Sequence, residues 1–321
     1  MNFNLLIENL SNPALLFFIL GILAVYLKSD LEIPSNSSKF ISLYLLFSIG
    51  FKGGQELSHE AFTNEIIWSM LFGISISLLI PTYTFFILKR KLNVYDAGAI
   101  AAAYGSVSAV TFVTAVSYLE SQQLSLHGYM VAIMALMESP AIIIGLVLMS
   151  LFNKEESSTN IKIPMVMKHS LTNGSVLLIL GSLVIGFLAN AKQADGIKPF
   201  TNDLFKGFLA IFLLDMGITS GRKLKSFFSF GLFPFVFALV IPLINGCFFA
   251  IFSSIVTSDI TNRFIFAVLA ASASYIAVPA AMKITVPKAN PGLYLPMALA
   301  ITFPLNITIG MPLYFQIVTI L

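Results

Sequence analysis

Charge is what this sequence has least of. Asp, Glu, Lys and Arg make up 10% of its 321 residues, against about 25% in a soluble globular domain. That shortage excludes a chain whose whole surface must be wetted. Cysteine is nearly absent too: Cys247 alone cannot form an intramolecular disulfide. The three histidines, His59, His127 and His169, fall near loops and are too dispersed for a metal site. No HExxH, Walker A, GxSxG or dinucleotide fingerprint occurs, and "GFKGG" within 50–54 lacks phosphate-loop spacing. Enzymatic chemistry is therefore not expected. The start, "MNFNLLIENL", has no basic n-region, so no cleaved signal peptide is expected, only a short interfacial turn.

What is present is apolar. Hydrophobic residues form 57% of the chain and the mean hydropathy is +0.91. Apolar runs long enough to cross hydrocarbon, about 20 residues each, recur throughout. The pattern predicts ten spans, at 12–28, 38–54, 65–89, 94–118, 126–151, 172–190, 198–219, 227–255, 262–285 and 292–319. Of the 18 lysines and arginines, thirteen follow odd-numbered spans, leaving five (Lys52, Lys192, Lys198, Lys206, Arg263) on the other side. Basic loops stay in the cytoplasm, so both termini are expected outside and the "NKEESSTNIKIPMVMKHS" linker, taken as 153–170, inside.

The two halves, 1–152 and 171–321, resemble each other in order. "ILGIL" at 19–23 returns as "ILGSL" at 179–183, and "YLLFSIGFKGGQEL" at 44–57 aligns with "IFLLDMGITSGRKL" at 211–224. Pro140 of span 5 corresponds to Pro304 of span 10. Five spans per half is an odd number, so the second half must insert upside down. The expected fold is an all-α membrane protein of ten transmembrane helices in two inverted five-helix repeats, a transporter architecture.

Two small-residue patches interrupt spans 4 and 9 at equivalent places, "AYGSVSAVTF" at 103–112 and "AASASYIAVP" at 270–279. Such residues let membrane helices approach closely, and that reading stands beside a functional one. Gly105 frees the backbone in the first patch, and Pro279 removes the N–H that would bond the Tyr275 carbonyl in the second. Two helices broken there turn their N-termini toward each other, each with about half a positive charge, a setting for a small monoanion. Ser106, Ser108, Ser272 and Ser274 supply hydroxyls. Glu138, which would cost about 2.5–3.5 kcal/mol facing lipid at a helix centre, is a candidate for a coupling cation, proton or sodium. Asp215 either couples ions or pairs with Lys52 of span 2; Thr302, Asn306 and Thr308 of span 10 either ligate or hold the core together.

These residues resemble the sodium-dependent bicarbonate permease family, the SbtA type known from cyanobacteria, in a non-cyanobacterial branch. "IGFKGGQEL", "YGSVSAVTF", "MESPA", "SASYIAVPAAMKITVPKANPGLY" and "ITFPLNITIGMPLY" fall in the family's order and span almost the whole chain. The resemblance implies a gate domain from spans 1, 2, 6 and 7 and a core domain from spans 3–5 and 8–10. It also implies a homotrimer that moves its substrate by an elevator-like shift. Bicarbonate and sodium would bind near broken spans 4 and 9, at Gly105, Ser106, Ser108, Ser272 and Ser274. Glu138 stands where cyanobacterial members have aspartate. "SASY" replaces a serine-serine-serine-aspartate run, which puts Tyr275 in place of an acid, and Ala109 and Val110 replace glycine and serine. The short linker bears on whether a PII-like regulator binds.

The expected function is sodium-dependent bicarbonate uptake at a bacterial inner membrane, with sodium as the only cofactor. A sodium- or proton-coupled carrier of another small organic or inorganic monoanion is the alternative within transport. A membrane scaffold or sensor without flux is the alternative outside it.

Overall fold

The computed structural model describes residues 12–153 and 174–321, and every regular element among them is helical. The expected N-terminal turn and all but the first residue of the 153–170 linker lie outside these residues. The helices are α1 (Pro13–Tyr26), α2 (Ser35–His59), α3 (Asn64–Leu88), α4 (Val94–Gly105), α5 (Ala109–Ser121), α6 (Tyr129–Phe152), α7 (Gly174–Leu188) and α8 (Ala191–Lys198). After a π turn at Pro199–Asp203 come α9 (Phe205–Phe227), α10 (Leu232–Phe252), α11 (Ile260–Ala271), α12 (Ala277–Thr285) and α13 (Pro291–Ile320). The predicted apolar stretches overlap these helices, with the fourth and ninth each divided into two by a short non-helical break.

Six of these runs, Asn64–Leu88, Val94–Ser121, Tyr129–Phe152, Ala191–Leu224, Leu232–Ile255 and Pro291–Ile320, are long and apolar enough to cross a membrane. Several helices start at short polar side chains that accept from otherwise unbonded first-turn amides. Asn12 bonds the Ala14 amide, Asn93 that of Asp96, Asp259 that of Asn262 and Asn290 that of Gly292. Asn190 and Gln193 cap α8 reciprocally. The outward faces stay apolar: Trp68, Leu71 and Leu79 of α3 are more than half exposed, as expected where the solvent is lipid.

Packing sorts the helices into two groups. One pairs α1 along α9 and α2 along α7; the other joins α3, α4 and α6, and α10, α11 and α13. Glycine makes the first pairings possible. A Cβ on Gly217 would stand 2.1 Å from the Phe18 carbonyl oxygen, and one on Gly54 equally close to that of Leu183. Each of these close pairs thus joins a helix before the 153–170 linker to one after it. Inside the other group, Pro81 of α3 and Pro242 of α10 occupy matching "IP" dipeptides that the repeat comparison did not use. Tyr83, two residues past Pro81, donates to Asn245 Oδ1, three past Pro242, at 2.5 Å.

Span 10 is less regular than its apolar pattern suggests. π turns occupy Met297–Thr302 and Asn306–Gly310, on either side of Pro304. Pro304 cannot donate to the helical ladder, and a wider turn accommodates the interruption.

Candidate functional site

Both patches break their helices. α4 ends at Gly105 and α5 begins at Ala109, with Ser106 and Ser108 in extended conformation. α11 ends at Ala271 and α12 begins at Ala277, with Ser272 extended. The composite span Val94–Ser121 is the most enclosed of the long apolar runs, with 89% of its core window buried. That burial is what broken backbone at membrane depth requires.

The two breaks cross and bond to each other. The Ser108 amide donates to Ser272 Oγ at 3.1 Å, and the Ser274 amide donates to the Ala103 carbonyl at 2.8 Å. Ser272 Oγ passes its own proton to the Leu269 carbonyl at 2.9 Å. Ser108 Oγ caps the Thr111 amide of α5, and Ser274 Oγ accepts from Val278 of α12 at 3.3 Å. Each bond therefore runs from just before one half-helix N-terminus to the C-terminal end of the other broken helix. Ala109 and Val110, in the first turn of α5, precede its first intrahelical bond, so their amides point out of the helix end. Ser106 Oγ, 1% exposed, has no hydrogen-bond partner among the described residues.

Two details differ from the sequence expectation. Gly105 does not supply left-handed backbone; among the described residues the positive-φ glycine is Gly231. Its hydrogen instead gives clearance, because a Cβ would lie 2.3 Å from Pro81 Cδ. Pro279 falls in the first turn of α12, where its missing N–H would have no helical partner anyway. The break is made by Ser272–Ile276, before the proline.

Tyr275 is buried, with its ring edge-on to Phe303 at 6.0 Å. Its hydroxyl turns toward Ser108 but forms no well-aligned hydrogen bond. One side of Tyr275 lines a cavity of about 490 Å³ between the α2/α9 pair and the second break. Asp215 lines the same cavity and accepts from Ser38 at 2.5 Å. The expected Asp215–Lys52 pair does not form: Lys52 bonds Glu120. Ser38 and Lys52 are separated by about 21 Å of helix, and Asp215 faces the start of α2.

Glu138 makes no hydrogen bond or ion pair among the described residues' contacts. It sits two turns before Gly145, which packs on Gly98 and Ala102 of α4, so its helical face leads toward the first break. Thr302 and Asn306 are occupied by protein: Tyr104 donates to Thr302, which donates to the Ala238 carbonyl at 2.8 Å. Asn306 donates to the Ala271 carbonyl at the end of α11 at 2.8 Å, and its oxygen accepts from Tyr314. These bonds hold the broken end of α11 in place. Thr308 bonds back to the Pro304 carbonyl.

The model of the Na+-dependent bicarbonate transporter superfamily matches residues 13–319. The chain belongs to this superfamily. No curated protein matches it. In this multi-pass membrane protein, Tyr275 and Ile276 of the second break line the large cavity, while Ser106, Ser108, Ser272 and Ser274 are buried in the crossing.

A polar cluster missed in the sequence ties the far ends of the broken spans. His127 Nδ1 lies 3.0 Å from Glu60 Oε1, which also accepts from the Gly128 amide, and Nε2 lies 3.6 Å from Asp259. Asp259 is the N-cap of α11. The Asp259 carboxylate, helped by Glu60 and opposed by burial, pushes the His127 imidazole up to about 9. Burial works against the Asp259 charge, yet His127 and the Asn262 amide hold its carboxyl below the ordinary range. Residues so far apart in sequence gave no local signal.

Proposed function

We propose that the protein is a secondary transporter of a small monoanion, bicarbonate in the first instance, carried with sodium. The observation that supports this reading is a bonded crossing of two broken helices, each of which restarts there with a half-helix N-terminus. Together they offer roughly one unit of positive potential, in a place where no lysine or arginine is needed. A planar, singly charged oxyanion suits unbonded backbone amides and the free Ser106 hydroxyl. Serine hydroxyls and carbonyls at the breaks are oxygen donors for a hard monovalent cation, and Glu138 is the acid on the helix face leading there.

The reading extends to ten spans in two inverted repeats, with the reciprocal α1/α9 and α2/α7 pairings as its structural support. In it, those four helices form a gate scaffold, the remaining ones carry the site as a core domain, and three chains assemble. External termini and a cytoplasmic linker are the orientation that the placement of basic residues supports, and a bacterial inner membrane is the location this reading assigns. Whether a PII-like protein regulates it turns on the short linker.

Uptake of labelled bicarbonate by liposomes containing the purified protein, with and without an inward sodium gradient, tests the reading. Sodium-stimulated accumulation is expected. Accumulation driven by a proton gradient, or of another monoanion alone, would replace the coupling or the substrate, and no counterflow of any anion would leave a scaffold or sensor.

A further inference from the structure

A second cavity, of about 420 Å³, lies at the opposite end of the seam between α2 and α9 from the one that reaches Tyr275. Its wall carries Lys52 of α2, Lys206 of α9 and Glu120 of α5, with Gln123, Ser125 and Asn202 as neutral polar groups. Two ammonium groups against one carboxylate leave the cavity one positive charge in excess, which draws a small anion rather than a cation. Lys52 and Glu120 close on each other in an ion pair that joins α2 to the last turn of α5. Their side chains are 39% and 23% exposed, so water and dissolved ions reach the bond.

The position of Glu120 gives this pair mechanical reach. α5 is a 13-residue helix whose first turn forms one side of the crossed breaks. Glu120 lies about 16 Å farther along the same rod. Whatever holds Glu120 to Lys52 therefore fixes the position of the α5 N-terminus relative to the α2/α9 pair. Of the two cavities on the seam, only the one at the other end is lined by a residue of either break.

We propose that this second cavity is an entry vestibule for the transported monoanion and that the Lys52–Glu120 ion pair is its latch. The arriving anion shares Lys52 and Lys206, Glu120 loses its partner, and α5 is freed to swing its N-terminus toward the vestibule. No covalent step is involved, only an exchange of one ion pair for another. The inference rests on the transporter reading for the identity of the anion, but the latch itself is testable without transport.

The test uses the full-length protein in liposomes, with Cys247→Ala and a reporter Thr201→Cys. Thr201 is buried at 4% and lines the vestibule. Labelling of the reporter by an impermeant maleimide is timed in sodium bicarbonate and in sodium gluconate of equal ionic strength. Bicarbonate is expected to speed labelling about two- to fivefold, the range set by a half-exposed ion pair. Glu120→Gln should label at the fast rate in either salt, and the swap Lys52→Glu with Glu120→Lys should restore the slow rate. The swap keeps the pair and so controls for misfolding. Equal rates in both salts, or an unchanged rate in Glu120→Gln, would overturn the latch even if uptake is observed. A bicarbonate response in liposomes that show no uptake would keep the latch and remove the transporter reading.

Discussion

The break in the fourth span takes three residues, 106–108, and the break in the ninth takes five, 272–276. The shorter one is the more enclosed. Its N-cap, Ser108, is buried and bonds the Thr111 amide, and the helix before it is seated on the Pro81 ring through Gly105. The longer one is open. Its N-cap is Ile276, which is 40% exposed and makes no side-chain cap, and Tyr275 beside it faces the large cavity. One break thus has an enclosed, capped helix end and the other a more accessible, loosely capped one. Under the proposed function, the enclosed end would hold a ligand in fixed geometry and the accessible end would decide what reaches it.

The largest effect that would sharpen this contrast is expected at the last helical residue before each break. Gly105→Ala forces a methyl into the Pro81 ring and should lower stability by about 1–3 kcal/mol. Ala271→Gly only loosens a helix end and should cost about 1 kcal/mol or less. Thermal unfolding of the purified variants measures both, and equal shifts would mean that the first break is no more rigid than the second.

Next in size is the loss of charge beside the enclosed end. Glu138→Gln keeps the side-chain volume, so the protein should remain folded while uptake falls or loses its cation dependence. Unchanged uptake with an unchanged sodium response would return Glu138 to a structural role. At the open end, Tyr275→Asp adds a full negative charge beside the cavity and should lower the sodium concentration needed for half-maximal uptake. Tyr275→Phe removes only a poorly bonded hydroxyl and should leave melting unaltered. If neither Tyr275 variant changes uptake or sodium dependence, the ring is packing and access is decided elsewhere.

Smaller still is the difference between the caps themselves. Ser108→Ala removes a well-formed N-cap and should cost about 1 kcal/mol. Ser274→Ala removes a longer bond, 3.3 Å to the Val278 amide, and should cost less when melted alongside it. The smallest expected effect couples both broken spans at their far ends. His127 is held at about 9 instead of 6.5, so the protonated form stabilises the fold. That contribution is complete below about pH 6.5 and is lost as pH rises through 9. Because the imidazole is 41% exposed, screening reduces it to about 1 kcal/mol or less. Melting followed from pH 6 to pH 10 should show a drop that His127→Gln lacks.

The positions of the two breaks were legible before the fold was known. Ser106, Ser108, Ser272 and Ser274 stand out because glycine, serine and proline act on the backbone within a turn or two of where they occur. The membership of Tyr275 in that patch is local in the same way. Asp215 was legible as a buried acid but not as the partner of Ser38, and Lys52 was legible as a cation but not as the partner of Glu120. Thr302 and Asn306 were legible as oxygen-bearing side chains that either ligate or hold the core, but not as the partners of Ala238 and Ala271.

Sequence alone determined where the helices run, that they belong in a membrane, and where two of them break. Each of these depends on the composition of a contiguous stretch: enough apolar side chains to prefer hydrocarbon, polar caps to start a helix, and serine-rich runs where it is interrupted. Tertiary structure decided that the breaks cross, that Gly105 rests on Pro81, and that Lys52, Asp215 and His127 take the partners they have. Those outcomes depend on which faces of helices far apart in the chain come within a few ångströms. Ion pairs and hydrogen bonds have that same short reach, so their partners cannot be assigned until the helices are packed.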